Sequence, residues 1–196
     1  MVRLAPLPLG LFAVLALASP LRAQTPAIIT IGSVPALAGT TVALPVSFEP
    51  GAQAVFFVRN DLEAELLSAV LIDRVPGGAP NCIVNPELGA GVTGLFQCLL
   101  TSGNDCRRVR GIISRSNGPA LPGGLLYTCA AVVDANASLG SYPFAALALE
   151  ARNALNQEVA VDGDDGAVDV VSEIPPTPTP SVTRTPSTTA TPSETP

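Results

Sequence analysis

The chain has 196 residues, with 16 acidic side chains against ten arginines and no lysine, for a formal net charge of −6. It contains no histidine, which excludes a Ser-His-Asp or Cys-His nucleophile and any histidine-ligated metal. The acidic balance argues against nucleic acid or anionic lipid as a partner.

The N-terminus carries Arg3, an uncharged run from Leu9 to Leu17 and then small residues. This is the n-region, h-region and cleavage-site order of a secretory signal. Residues 1–23 are read as that signal, with cleavage after Ala18 or Ala23, in preference to an uncleaved anchor. The apolar run is shorter than the roughly 20 residues a membrane span needs. The mature chain is therefore expected to be secreted, outside the cell or at its surface, without membrane insertion. Losing Arg3 and Arg22 makes it more acidic still.

Residues 24–174 form the expected domain. Between Gly39 and Gly51, Val42, Leu44, Val46 and Phe48 alternate with Ala43, Pro45 and Ser47, the period of a strand with one buried face. Proline lacks a backbone donor, so Pro45 suggests a strand edge or a place where the missing hydrogen bond faces away from a partner. A second β run covers residues 52–67, with Phe56 and Val58 on one face and Val55, Phe57 and Arg59 on the other. A short helical turn could fall within 61–68. Further strands are expected at 27–31, 69–72, 94–100, 107–114, 125–133, 142–149, 158–161 and 167–171. Turn chemistry separates them at Pro76-Gly77-Gly78, Ser116-Asn117-Gly118-Pro119, Leu121-Pro122-Gly123-Gly124 and residues 162–166. Eight to ten short strands at this spacing predict an all-β antiparallel sandwich or jelly roll.

Residues 175–196 comprise seven prolines, eight threonines and three serines among 22 positions. Such a segment cannot bury apolar surface and is expected to be an extended linker or stalk, open to O-glycosylation.

Cys82, Cys98, Cys106 and Cys129 are even in number, the arithmetic of two disulfides with three possible pairings. A zinc site competes, but no C-x-x-C and no histidine support it. Cys98 and Cys106 flank the turn-like residues 101–105, so a bridge across a hairpin is the natural choice, with Cys82 then paired to Cys129.

Paired carboxylates for hydrolysis could be sought at Glu63 with Glu65, or at Asp162, Asp164 and Asp165, but acids this close in sequence usually decorate a solvated turn. The latter three also form a weak calcium candidate; Gly166 stands fifth where an EF-hand loop needs glycine sixth, so a plain turn is preferred. No catalysis, cofactor or metal is expected.

The order of these segments resembles a cohesin domain, the receptor module that holds dockerin-bearing enzymes. The matching pieces are Ala38-Gly39-Thr40-Thr41-Val42 through Phe48, residues 56–61 with the following Leu62-Glu63-Ala64-Glu65-Leu66-Leu67, Leu121-Pro122-Gly123-Gly124-Leu125-Leu126, Leu139-Gly140-Ser141-Tyr142-Pro143-Phe144, and Asp162-Gly163 before the last strand. The resemblance implies a nine-stranded jelly roll and supports Cys82–Cys129 with Cys98–Cys106. Because well-studied cohesins commonly lack such bridges, the chain is similar to a divergent, non-cellulosomal member. The implied partner is a dockerin-type module, bound on one sheet face in a setting of extracellular polysaccharide degradation. Gln53, Val55, Phe57 and Arg59 would face it, joined by Arg108 and Arg110. In many cohesins the positions of Gln53 and Val55 carry a polar pair, and here the second is apolar. The competing readings are a carbohydrate-binding module and a structural or adhesive surface domain. The former lacks tryptophan and has only Tyr127 and Tyr142 to stack on sugar.

Overall fold

The computed structural model describes residues 25–174; the expected signal and the Pro/Thr-rich tail lie outside the described residues. The strands are β1 (Ala27–Ile31), β2 (Ser33–Ala36), β3 (Thr41–Glu49), β4 (Phe57–Ala64), β5 (Val70–Ile72), β6 (Cys82–Val84), β7 (Val92–Ser102), β8 (Asp105–Arg115), β9 (Gly124–Val133), β10 (Gly140–Arg152), β11 (Glu158–Val159), β12 (Val161–Asp164) and β13 (Gly166–Val170). Among the described residues a single 3-10 turn, Pro86–Leu88, is capped by Asn85, whose side chain accepts from the Glu87 N–H.

Alternation builds the core. Leu44, Val46 and Phe48 of β3 are buried, as are Ile29 and Ile31 of β1 and Tyr127, Cys129 and Ala131 of β9. Val58 and Leu62 of β4, Val109 and Ile113 of β8, and Phe144 of β10 supply the other side. Each large side chain removed from water contributes about 1.5–3 kcal/mol. The sheet runs β12-β1-β3-β9-β5-β8-β4-β10-β13-β2, with β7 on β8, β6 on β9 and β11 on β10. It curls into two layers through β5, which pairs with β9 at three positions and meets β8 at Ile72↔Cys106. The result is a jelly-roll β-sandwich.

More than nine strand segments result because continuous runs are interrupted. At Gly32 the chain leaves β3, beside which β1 lies, and continues as β2 along β13. This crossover also decides between the two places expected for Pro45. β3 is no edge strand, since β1 and β9 flank it, but the β1 ladder ends at Ile31↔Val46. The missing proline donor therefore falls where the partner strand has departed, and the Gly32 N–H donates to the Pro45 carbonyl at 2.9 Å. A Cβ on Gly32 would stand 2.6 Å from Pro45 Cγ.

Three expectations are corrected. No helical turn occupies 61–68: β4 continues through Ala64, and a tight turn follows in which the Ser68 N–H donates to the Glu65 carbonyl. Residues 162–166 are largely strand, because β12 runs parallel to β1 and only Asp165 separates it from β13. The run at 52–67 is strand only from Phe57 onward. Its lead-in is irregular, tied down where the Phe56 N–H donates to Arg152 and the Val55 carbonyl accepts from Leu121.

Both expected disulfides are formed, Cys82–Cys129 and Cys98–Cys106. Cys82 and Cys129 stand opposite each other on β6 and β9, and the second bridge spans the β7–β8 hairpin.

Candidate functional site: an arginine-rich sheet face

Alternation along β4 sends Val58, Asn60, Leu62 and Ala64 inward, and Phe57, Arg59, Asp61 and Glu63 outward. Strand register extends these outward positions into rows across β7, β8, β4 and β10. One row is Thr93–Ser114–Phe57–Arg152, the next Leu95–Ile112–Arg59–Glu150, and the next Gln97–Arg110–Asp61–Leu147. A bulge between Leu147 and Glu150, with Ala148 at φ 49°, shifts the β10 register so that Glu150 meets Arg59.

The charges on this face are paired into a network. Arg108 donates to Asp61 Oδ2 from Nη2 at 2.8 Å and from Nε at 3.1 Å. Arg110 donates from Nε to Oδ1 at 2.7 Å and from Nη2 to Oδ2 at 3.0 Å. Two guanidinium groups thus cover Asp61, whose side chain is 0% exposed although it lies on an outward position. The Asp61 hydrogen bond raises the Arg110 guanidinium above its ordinary value, against a smaller opposing effect of burial. Glu63 receives Arg107 at 3.3 Å and Arg108 at 3.5 Å. Glu150 joins Arg59 at 2.8 Å and also binds Arg152. Arg59 Nε is buried without a hydrogen-bond partner. Beside this pair a depression of about 410 Å³ opens, lined also by Glu158 and Val161.

The result is an electropositive island on an acidic protein. Arg59, Arg107, Arg108, Arg110 and Arg152, half of the chain's ten arginines, meet three carboxylates there. The opposite outer face has no arginine along β3 and β9: small side chains such as Thr41, Ala43, Pro45, Thr128 and Ala130 lie there, with Glu49 at the end of β3 and the exposed apolar Ile83 of β6 and Leu125 of β9.

Phe57, Arg59, Arg108 and Arg110 lie on one face as the sequence spacing places them. Val55 does not: it precedes the strand, is 1% exposed and belongs to the core. Gln53 is half-buried in the same irregular lead-in, off the strand. Asp61, Glu150, Arg152, Leu95, Ile112 and Leu147 complete the face and were not among the expected residues. Counting outward positions onward from Arg59 reaches Asp61, and the arginines at 108 and 110 signal a carboxylate opposite them. The β10 bulge leaves no such signal.

Tyr127, one of the two rings weighed for sugar stacking, is wholly buried, and Tyr142 donates its hydroxyl to the Ser138 carbonyl. Asp164 accepts from Thr30 Oγ1 at 3.3 Å and Asp165 from the Ala146 N–H at 2.7 Å. Among the described residues, no group of three or more histidine, cysteine or acidic side chains gathers as a metal site requires. Glu63 is held by arginine, while Glu65 sits in the turn after β4.

No protein-family model matches the sequence, and no curated protein does. The fold has solved counterparts. A non-cellulosomal cohesin from the archaeon Archaeoglobus fulgidus superposes with a TM-score of 0.58 at 19% identity, over 75% of this chain and 92% of that one. CaCohA2 from Clostridium acetobutylicum gives 0.57 at 15% identity, over 77% and 94%. A chain of a type I cohesin–dockerin complex from Clostridium thermocellum gives 0.54 at 12% identity, over 74% and 94%. At these identities the likeness establishes a cohesin-like fold.

Proposed function

We propose that this domain is an exported, non-catalytic receptor module that binds a dockerin-type protein through the outer face of β7, β8, β4 and β10. The observation that carries this reading is the asymmetry between the two outer faces. One concentrates five arginines beside the apolar groups Leu95, Ile112 and Phe57 on adjacent strands, and the other has no arginine along β3 and β9. Apolar anchors with arginine around them are the composition of energetically productive interfaces. The excess of arginine over carboxylate selects a partner whose contact surface bears acidic groups, and it accelerates the encounter of such a partner at low salt. The Pro/Thr-rich segment then serves as a spacer between the receptor and whatever it is attached to.

The test is titration of the domain with each dockerin module encoded in the same genome. At least one is expected to bind, more weakly as salt is raised. Leu95→Asp and Ile112→Asp should abolish that binding, while Thr128→Asp on the opposite face leaves it unchanged. Absence of binding by every dockerin, or a complex indifferent to the Leu95 and Ile112 variants, overturns the reading.

A further inference from the structure

The end of the sandwich remote from the β4 lead-in bears a feature unrelated to the arginine face. Asn136-Ala137-Ser138 is the one Asn-x-Ser/Thr triplet in the chain that lacks an intervening proline, the acceptor pattern for N-linked sugars in exported proteins. It lies in the turn between β9 and β10, where Ala135, Asn136 and Ser138 are exposed. The Ala137 N–H donates to the Asp134 carbonyl at 3.0 Å and the Asn136 N–H to Asp134 Oδ1 at 2.7 Å. Among the described residues no hydrogen bond engages the Asn136 carboxamide.

A second observation at the same end points to a covering group. Three of the most exposed large apolar side chains cluster on its turns: Leu139 in the acceptor turn itself at 67%, and Leu66 and Leu67 in the β4–β5 turn at 75% and 94%. The two turns are neighbours, since the Asp134 N–H donates to the Ala69 carbonyl at 2.8 Å. Leu67 holds φ 69°, a conformation uncommon for a non-glycine residue, which keeps it in solvent. Exposed apolar groups concentrated at one place on a domain mark a surface that something covers.

We propose that Asn136 is an N-glycosylation site and that its glycan shields this leucine-bearing end. The donor class is a sugar carried on a polyprenyl diphosphate. Asn136 Nδ2 attacks the anomeric carbon; the new C–N bond forms as the C–O bond to diphosphate breaks. The Nδ2 proton passes to a base of the transferase, and the lipid diphosphate leaves. The turn is closed by short-range hydrogen bonds at the surface, the kind that open locally at low cost, so the triplet can extend into a transferase. Opening also frees the Asp134 carboxylate, two residues before the acceptor, as a handle for a basic side chain of that enzyme. The acceptor turn precedes the Gly140 end of β10, whereas the arginine face meets that strand farther along, at Leu147, Glu150 and Arg152, so the modification is compatible with partner binding.

The inference takes export from the proposed function, and the experiment separates the two. The chain is purified from its natural source, its N-terminus is sequenced, and its proteolytic peptides are analysed by mass spectrometry. The expected result is a processed N-terminus and a glycan mass on the peptide containing Asn136. Asn136→Gln and Ser138→Ala should lose that mass, and Ser138→Thr should keep it. A processed, secreted chain whose Asn136 is unmodified overturns the glycosylation proposal alone. A chain retained in the cell with its leader intact overturns the export reading and the modification with it.

Discussion

Tyr127 allows the sharpest test of how the two layers are joined. Its ring is buried between them, 5.0 Å from the Phe96 ring, and its hydroxyl donates to Asn60 Oδ1 at 2.9 Å. Asn60 is 1% exposed and its Nδ2 has no hydrogen-bond partner. Tyr127→Phe therefore leaves Asn60 with no hydrogen bond at all to its buried carboxamide. Stranding a buried acceptor costs about 1–3 kcal/mol. At a urea slope of about 2 kcal/mol/M, the midpoint should fall by roughly 0.5–1.5 M with the slope unchanged. Asn60→Leu strands the phenol but also removes the unsatisfied Nδ2, so its cost should be smaller. The double variant should lose much less than the sum of the two single losses, because deleting both partners is nearly neutral. A pH signature accompanies this. Burial raises the Tyr127 phenol far above its ordinary 10.0, opposed by the Asn60 hydrogen bond. The stability tied to the neutral phenol is full below the unfolded pKa and is lost as pH rises above it, because only the unfolded phenol then ionises. Tyr127→Phe should remove that alkaline decline. Wild-type stability in the single phenylalanine variant, with an additive double variant, would refute this account of the Asn60–Tyr127 pair.

The disulfides should contribute according to the loops they close. Cys82→Ser with Cys129→Ser opens a separation of 47 residues and should cost about 4 kcal/mol, against about 2.5 kcal/mol for Cys98→Ser with Cys106→Ser across a separation of 8, both read from denaturant unfolding. Gly166→Ala should cost about 3 kcal/mol or prevent folding, since its Cβ would lie 2.4 Å from the main-chain oxygens of Ile31 and Gly32, which cannot rotate away; thermal melts that match wild type would contradict this packing. Partial burial, and then the Asp73 carboxylate, raise Asp105 above the ordinary carboxylate range against a smaller pull from Arg74. The folded state therefore binds that proton more tightly, and the contribution is present at low pH and lost as pH rises through the raised value. Asp105→Asn should be stabilising at neutral pH and flatten this part of the pH–stability profile measured by chemical denaturation.

Most strands are legible because alternation and turn chemistry agree locally. Residues 27–31 are expected and found as β1, and the 107–114 and 125–133 expectations extend by one or two residues into β8 and β9. The outward phase of Phe57 and Arg59 follows from the same alternation. Val55 shows where this reasoning stops. Its apolar neighbours Phe56 and Phe57 suggest a continuous strand, but hydrogen bonds to Leu121 and Arg152, far away in sequence, hold the lead-in off the ladder and turn Val55 inward. Residues 162–166 fail for the converse reason. Their glycines and aspartates are turn formers, and parallel pairing with β1 overrides that preference. The ion-paired face needs register across four strands, and one bulge in β10 is enough to hide Glu150 from any reading of single segments.

Under the proposed binding function, Asp61 has a role that a contribution to stability would not give it. A desolvated carboxylate shared by two arginines contributes little net folding free energy, because its loss of hydration offsets the attraction. Apolar residues at 61, 108 and 110 would hold the strands together as well, but they would extend the apolar surface around Leu95 and Ile112 into an indiscriminate contact. With the network in place, Arg110 directs Nε and Nη2 to Asp61 and is fixed in one conformation before any partner arrives. A guanidinium held this way has further N–H donors and loses little conformational entropy on meeting a carboxylate. The buried acid thus positions the arginines, and in the proposed function the arginines set the charge of the partner. Under the proposed function, this division of labour accounts for an arginine cluster on a domain whose opposite face carries no arginine along β3 and β9.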